Sequence, residues 1–206
     1  MTAETVSTRR RMPLLPAVQV VAGLRGDAIV VTTMGAAREW PKLSQHALDF
    51  HYLPSAMGQA PMLGLGLALA QPHREVIVFN GDGCTLMNLG CLVTIAAAGA
   101  ANFTLIVLEN GIYEVTGGQA TAAGAKCGQE VDFAAMARAA GLTSVFDFDD
   151  AAIWQREAAM ALHSPGPRFL SLHVAPVGAD YPLPALSPMA ERIAAFQAAL
   201  VSPSSQ

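Results

Sequence analysis

Charge is scarce in this chain. Only 14% of its 206 residues are charged and 52% are hydrophobic, where about a quarter of a soluble domain is usually charged. Long apolar runs are missing as well. No stretch of about 18 residues escapes a Gly, an Asn or a charge, which excludes a membrane-spanning helix as the reason for the apolar surplus. Two explanations remain, and they act together: a parallel α/β core whose strands are buried on both faces, and a large subunit interface. Basic blocks are absent beyond Arg9, Arg10 and Arg11, and the net charge is -4, so nucleic acid is excluded as a partner. Those arginines follow Ser and Thr in the manner of a targeting peptide, but no apolar segment comes after them. Residues 1–11 are therefore expected to be a disordered tail, ahead of one domain over residues 12–206. Cysteine is limited to Cys84, Cys91 and Cys127, an odd number without metal-ligand spacing, which suits a reducing cytoplasm. The glycosylation sequon Asn102–Thr104 opens an apolar run and is discounted. Neither a domain break nor an internal repeat is visible.

What is present alternates between strand-like and helical runs. Strands are expected at Ala28–Thr33, Phe50–Leu53, Val76–Phe79, Phe103–Glu109, Thr143–Phe148 and Arg168–Ala175. Helices are expected at Met62–Ala70, Leu86–Gly99, Val131–Gly141, from Asp149 or Asp150 through His163, and from Met189 to Leu200. Asn110–Gln129 reads as a polar, Gly-rich loop. The alternation predicts an α/β fold, a doubly wound and mainly parallel sheet with helices on both faces. The segment Gly64–Leu69 looks like half of a dinucleotide fingerprint, but it lies within a helical run and reads better as close helix packing.

One short motif carries chemistry. Gly81-Asp82-Gly83 follows a central strand, and Asn110 follows the next, 110 − 82 = 28 residues later. Open α/β sheets bind ligands at that strand edge. A carboxylate, an amide oxygen and a nearby loop carbonyl form a sparse hard-oxygen site of the kind Mg²⁺ accepts, because Mg²⁺ fills its octahedron with water and phosphate oxygens. No Lys or Arg occurs from Glu75 to Ala125. A phosphate bound here would lean on the metal, on backbone N–H groups around Gly83 and Cys84, and on the following helix N-terminus. Spacing alone leaves two readings open: a metal-bridged diphosphate, or an Asp-capped turn beside an unrelated Asn turn.

Gly-Asp-Gly, then 25 residues, then Glu109-Asn110 resembles the motif of the thiamine-diphosphate enzymes. The resemblance implies thiamine diphosphate and Mg²⁺ as cofactors, with the metal held by Asp82, the Asn110 side chain and the Ile112 carbonyl. Glu109 departs from the Asn or Asp common at that position. Pro54–Ala70 resembles the family segment that places a bulky residue, here Met57, between the two cofactor rings, with the Ser55 carbonyl accepting from the aminopyrimidine. Thr32–Ala37 resembles the loop beneath the diphosphate, which adds Gly35 and Ala36 as backbone contacts. Gly81, Gly83, Cys84, Tyr113 and Val115 complete the expected cofactor site, with Tyr113 and Glu114 as candidate substrate contacts. The likeness spans Ala28 to Ala175. It is closest to the sulfopyruvate and phosphonopyruvate decarboxylases, with Thr116–Gln119 the discriminating piece.

That resemblance also implies something missing. In the family a glutamate on a separate pyrimidine-binding domain activates the cofactor, and none of the eight glutamates here matches it. A partner subunit is expected to supply it, giving a hetero-oligomer that decarboxylates a small 2-oxo acid. An anionic substrate head group would call for Lys126 or the partner, since no Lys or Arg lies between Arg168 and Arg192. Half of a carboligase or oxidoreductase, or a non-catalytic cofactor-binding module, are the competing expectations. His51 and His173 read as structural, and Cys84 as a small residue in place of a serine.

Overall fold

The computed structural model describes residues 9–54, 56–122, 131–177 and 185–201. Helix α1 (Leu14–Leu24) leads into β1 (Ile29–Thr32), α2 (Met34–Leu43), β2 (Asp49–His51), α3 (Ala60–Ala70) and β3 (Val76–Gly81). Then come α4 (Asp82–Met87), α5 (Gly90–Ala98) and β4 (Phe103–Glu109). A small hairpin, β5 (Ile112–Tyr113) and β6 (Gln119–Ala120), brackets a 3-10 turn at Glu114–Thr116. Helix α6 (Phe133–Ala139), β7 (Ser144–Phe148), α7 (Ala151–His163), β8 (Arg168–His173) and α8 (Met189–Val201) follow. The main sheet has the order β2-β1-β3-β4-β8-β7, and every pairing in it is parallel. This is the doubly wound α/β architecture expected from the alternation.

Two apolar layers sandwich the sheet because successive strand side chains point to opposite faces. Val76 and Val78 of β3, with Leu105 and Val107 of β4, pack under α3, α5, α6 and Phe196 of α8. Ile77 and Phe79, with Ile106 and Leu108, pack under α1, α2 and α7. Polar contacts fix the ends. Asp150 caps α7 by accepting from the Ala152 and Ile153 N–H groups. The Trp154 indole donates to the Ala17 carbonyl at 2.9 Å and ties α7 to α1.

Glycine has a packing role in α3. A Cβ on Gly64 would lie 2.1 Å from Val78 Cγ2 and 3.2 Å from Phe103 Cε2, so the helix sits directly on the sheet. The small residues of Gly64–Leu69 thus serve helix packing, as read from the sequence. Gly64→Ala should cost about 1–3 kcal/mol of stability through overpacking. The check is a lowered urea midpoint with an unchanged m-value.

Local sequence reading and structure differ in four places. Helices α1 and α2 lie where no helix was expected. The helix expected over Leu86–Gly99 is two helices, because the chain leaves α4 at Asn88 with φ -145° and restarts at Gly90. The loop expected from Asn110 contains the β5–β6 hairpin. Of the expected tail, residues 1–8 lie outside the described residues, but Arg9, Arg10 and Arg11 are engaged. Met12 pairs with Val174, donating its N–H to the His173 carbonyl at 2.8 Å. That pairing carries Arg9 to Asp147 at 2.8 Å and Arg10 to Asp150 at 2.9 Å. The Asn102 amide donates to the Ala68, Gln71 and Arg74 carbonyls. The sequon asparagine therefore fastens the end of α3.

Candidate cofactor site

Strand order reverses between β1 and β3, since β1 is followed in sequence by its neighbour on one side and then by β3 on the other. Crevices outside such switch points bind ligands. A cleft opens there, lined by Thr33, Met34 and Gly35 after β1, Gly81–Cys84 at the end of β3, and Asn110 and Ile112–Thr116 after β4. Met57 and Val174 close its sides.

Asp82 is 4% exposed and is the first residue of α4. Its Oδ1 accepts the Gly83 N–H and its Oδ2 the Gly111 N–H, both at 2.7 Å. Burial pushes its pKa up to about 6, against the pull of these two bonds and of Arg11. Asn110 sits across the cleft floor, its Oδ1 accepting the Ile112 N–H at 3.0 Å. Glu114 lines the same cleft and raises the Asp82 pKa further, while its Oε1 accepts the Val177 N–H at 2.7 Å. Two carboxylates thus share a cleft with little cationic compensation.

Arg11 is the neighbour of the motif that sequence reading missed. Lys and Arg are absent around the motif along the chain but not in space. Arg11 donates to the Glu109 carbonyl at 3.3 Å, and its guanidinium would stand 3.1 Å from a Cβ on Gly111. Its sequence signal was the basic triplet at Arg9–Arg11, which the pairing of Met12 with Val174 brings 98 residues along the chain to Glu109.

The structure brings most of the expected site residues together. Gly35, Met57, Gly81, Asp82, Gly83, Cys84, Asn110, Ile112, Tyr113 and Val115 all line the cleft. Ala36 does not. Helix α2 begins at Met34, so Ala36 turns into the core with Trp40 and is fully buried. Ser55, Lys126 and Cys127 lie outside the described residues. Gly83 is explained by Tyr113, since a Cβ there would sit 2.5 Å from its ring, whereas Gly81 faces open space. Cys84 is a buried thiol pushed up in pKa by burial, with the Gly58 and Gly81 N–H groups opposing. Met34 holds the left-handed φ of 47° at the start of α2, an unusual conformation for a residue with a side chain.

Beside the cleft lies a second polar cluster. Glu109 ends β4 buried, accepts from the Ser171 hydroxyl, and has its pKa pushed up to about 7 by burial. His173 Nε2 is 2.7 Å from Asp147 Oδ1. The departure from Asn or Asp at position 109 is thus accommodated by a dedicated buried network.

Three comparisons bear on this geometry. Residues 29–172 match the family described as "Thiamine pyrophosphate enzyme, C-terminal TPP binding domain". Phosphonopyruvate decarboxylase of Streptomyces viridochromogenes is 39% identical over 169 residues, covering 79% of this chain and 39% of that protein. Sulfopyruvate decarboxylase subunit beta of Methanothermobacter thermautotrophicus is 36% identical over 170 residues, covering 82% of this chain and 85% of that subunit. The chain therefore spans about two-fifths of the first relative and most of the second. In fold it resembles the thiamine diphosphate-dependent 4-hydroxybenzoylformate decarboxylase of Rhodococcus jostii RHA1, with a TM-score of 0.65 at 20% identity, over 85% of this chain and 35% of that one. The chain belongs to the thiamine pyrophosphate enzymes, and the cleft residues from Thr33 to Thr116 lie within the region matched by their C-terminal cofactor-binding domain.

Proposed function

We propose that the chain is the diphosphate- and metal-binding subunit of a thiamine-diphosphate- and Mg²⁺-dependent 2-oxo acid decarboxylase, of sulfopyruvate or phosphonopyruvate type. The observation that carries this reading is the convergence of Asp82, Asn110 and Met57 on one cleft at the switch point. The donor set suits Mg²⁺. Asp82 is a buried carboxylate beside Glu114, and Asn110 Oδ1 keeps a lone pair after accepting one N–H. Among the described residues no cluster of three His, Cys, Asp or Glu side chains could hold a metal. A metal here would complete its shell with phosphate oxygens and water, as Mg²⁺ does.

When bound, thiamine diphosphate supplies the carbon nucleophile and the electron sink for decarboxylation. The chain's own residues hold it. Asp82, Asn110 and the Ile112 carbonyl would anchor its metal and diphosphate. Met57 would stand against its rings, and Tyr113 and Val115 would wall the cleft. The glutamate that activates the cofactor would come from a partner subunit. Large apolar side chains stay exposed on α3 and α5, with Leu69 at 59% and Val93 at 60%, which fits a surface that a partner covers. Among the described residues no helix is long and apolar enough to cross a membrane. Free Cys84 and Cys91 suit the reducing cytoplasm we infer as the compartment.

The assembled enzyme should be screened with 2-oxo acids for carbon dioxide and free aldehyde. Acyloin products, or electrons passed to an acceptor without free aldehyde, would overturn the decarboxylase reading. Metal binding has its own signature. The metal needs Asp82 ionised, and burial raises its pKa to about 6. Affinity for Mg²⁺ with cofactor should therefore be constant above that pH and fall about tenfold per unit below it. Titration calorimetry at pH 5 and 7 checks this, and Asp82→Asn should bind the metal poorly at both.

A further inference from the structure

Met57 is 38% exposed, so its position is not fixed by packing of its own side chain. A residue meant to press on a ligand needs its backbone held instead. Gly58, the next residue, has φ +83°, and a Cβ there would meet the Cys84 carbonyl oxygen at 3.0 Å and Asn88 Cβ at 3.2 Å. The backbone is thus laid directly on α4. The Asn88 side chain completes the contact by donating Nδ2–H to the Gly58 carbonyl at 3.0 Å. Asn88 is the C-cap of α4, its own N–H bonded to the Thr85 carbonyl. The segment's other end is held from α8. Arg192 donates to the His51 and Leu53 carbonyls, and its Nε to the Ser187 carbonyl at 2.8 Å.

We propose that Asn88 is a positioning residue for Met57, with Arg192 as the second anchor of the same segment. This deepens the proposed function and rests on Met57 contacting the cofactor. Helix α4 carries Asp82 at its first residue and Asn88 at its C-cap. It therefore acts as a spacer of about 9 Å, at roughly 1.5 Å rise per residue, between the metal anchor and the ring contact. Its interior is braced by Thr85, whose hydroxyl donates to the Gly81 carbonyl and accepts from the Asn80 amide, each at 2.9 Å. Neither Asn88 nor Arg192 needs to touch the cofactor to act in this way.

The test uses Asn88→Ala and the isosteric Asn88→Asp, which keeps the shape but loses the donor, in the enzyme assembled with its partner. Both should lower kcat about tenfold while cofactor affinity by calorimetry changes less than about threefold. Hydrogen exchange on the chain alone should quicken over residues 50–59, with the rest unchanged. The double variant Asn88→Ala/Met57→Ala should turn over no more slowly than Met57→Ala. Arg192→Lys, which cannot span both carbonyls, should show the same pattern more weakly. If Met57→Ala lowers kcat but the Asn88 effect multiplies with it, or cofactor affinity falls in step with kcat, the positioning role is overturned alone. If Met57→Ala leaves kcat unchanged, the ring contact itself fails and the positioning role fails with it.

Discussion

Asp82→Ala should abolish metal-dependent cofactor binding. The Asp82 carboxylate is the one buried acid on which the strand end, the start of α4 and the Gly111 N–H converge. Burial raises its pKa to about 6, and a bound metal would stabilise its ionised form. Alanine removes both the metal's only carboxylate and the acceptor that holds Gly111, so the Asn110–Ile112 turn loosens as well. Calorimetry should show tight binding of thiamine diphosphate with Mg²⁺ to the parent chain. For the variant it should show a loss of at least about a thousandfold, in line with the 3–5 kcal/mol that breaking a buried charged pair costs. Equal affinity with and without metal, or in the variant, would remove the metal bridge from the reading.

The second large effect concerns the chain by itself. With Mg²⁺, thiamine diphosphate and a range of 2-oxo acids, the purified 206-residue chain should show no turnover above background, and a second polypeptide should restore it. On the proposed reading this chain brings the metal half of the site, while no described glutamate is placed to face the cofactor's far ring. Among the described glutamates, Glu39 is buried against Lys42 and Glu109 against Ser171. Glu114 alone lines the cleft, on the Asp82 side, with one oxygen committed to Val177. A homodimer would not help, because a second copy adds the same groups. Closed symmetry favours an assembly with at least two of each chain. Robust turnover by the single chain would refute the half-site and make Glu114 the first residue to substitute.

The sheet was legible because its strands are short apolar runs spaced by helical ones, and β4 was read to the residue at Phe103–Glu109. The first two helices were not. Helix α1 carries Pro16 in its first turn and α2 carries Pro41 inside it, and proline reads locally as a break. Their stability comes from Val18, Val21 and Trp40 entering the core layer between the sheet and α1, α2 and α7, a tertiary fact. The split between α4 and α5 falls at Asn88–Gly90, and that polar residue and glycine were read through because the apolar residues resume directly after them. The site's motif residues were legible because a strand-to-strand crossover fixes their spacing. Arg11 was not, since only the pairing of Met12 with Val174 brings it to Gly111. Ala36 was misplaced because a loop contact was expected where a helix begins.

The pairing of Met12 with Val174 has a practical corollary for anyone trimming the protein. Residues before Met12 look dispensable on a hydropathy plot, and cutting at Met12 would leave both core layers untouched. It would also delete the guanidinium that donates to the Glu109 and Val174 carbonyls and that tempers the Asp82 charge. A shortened chain should therefore fold normally, yet hold its ligand turn at Asn110–Ile112 less firmly. An N-terminal affinity tag is best joined ahead of Arg9 through a flexible spacer.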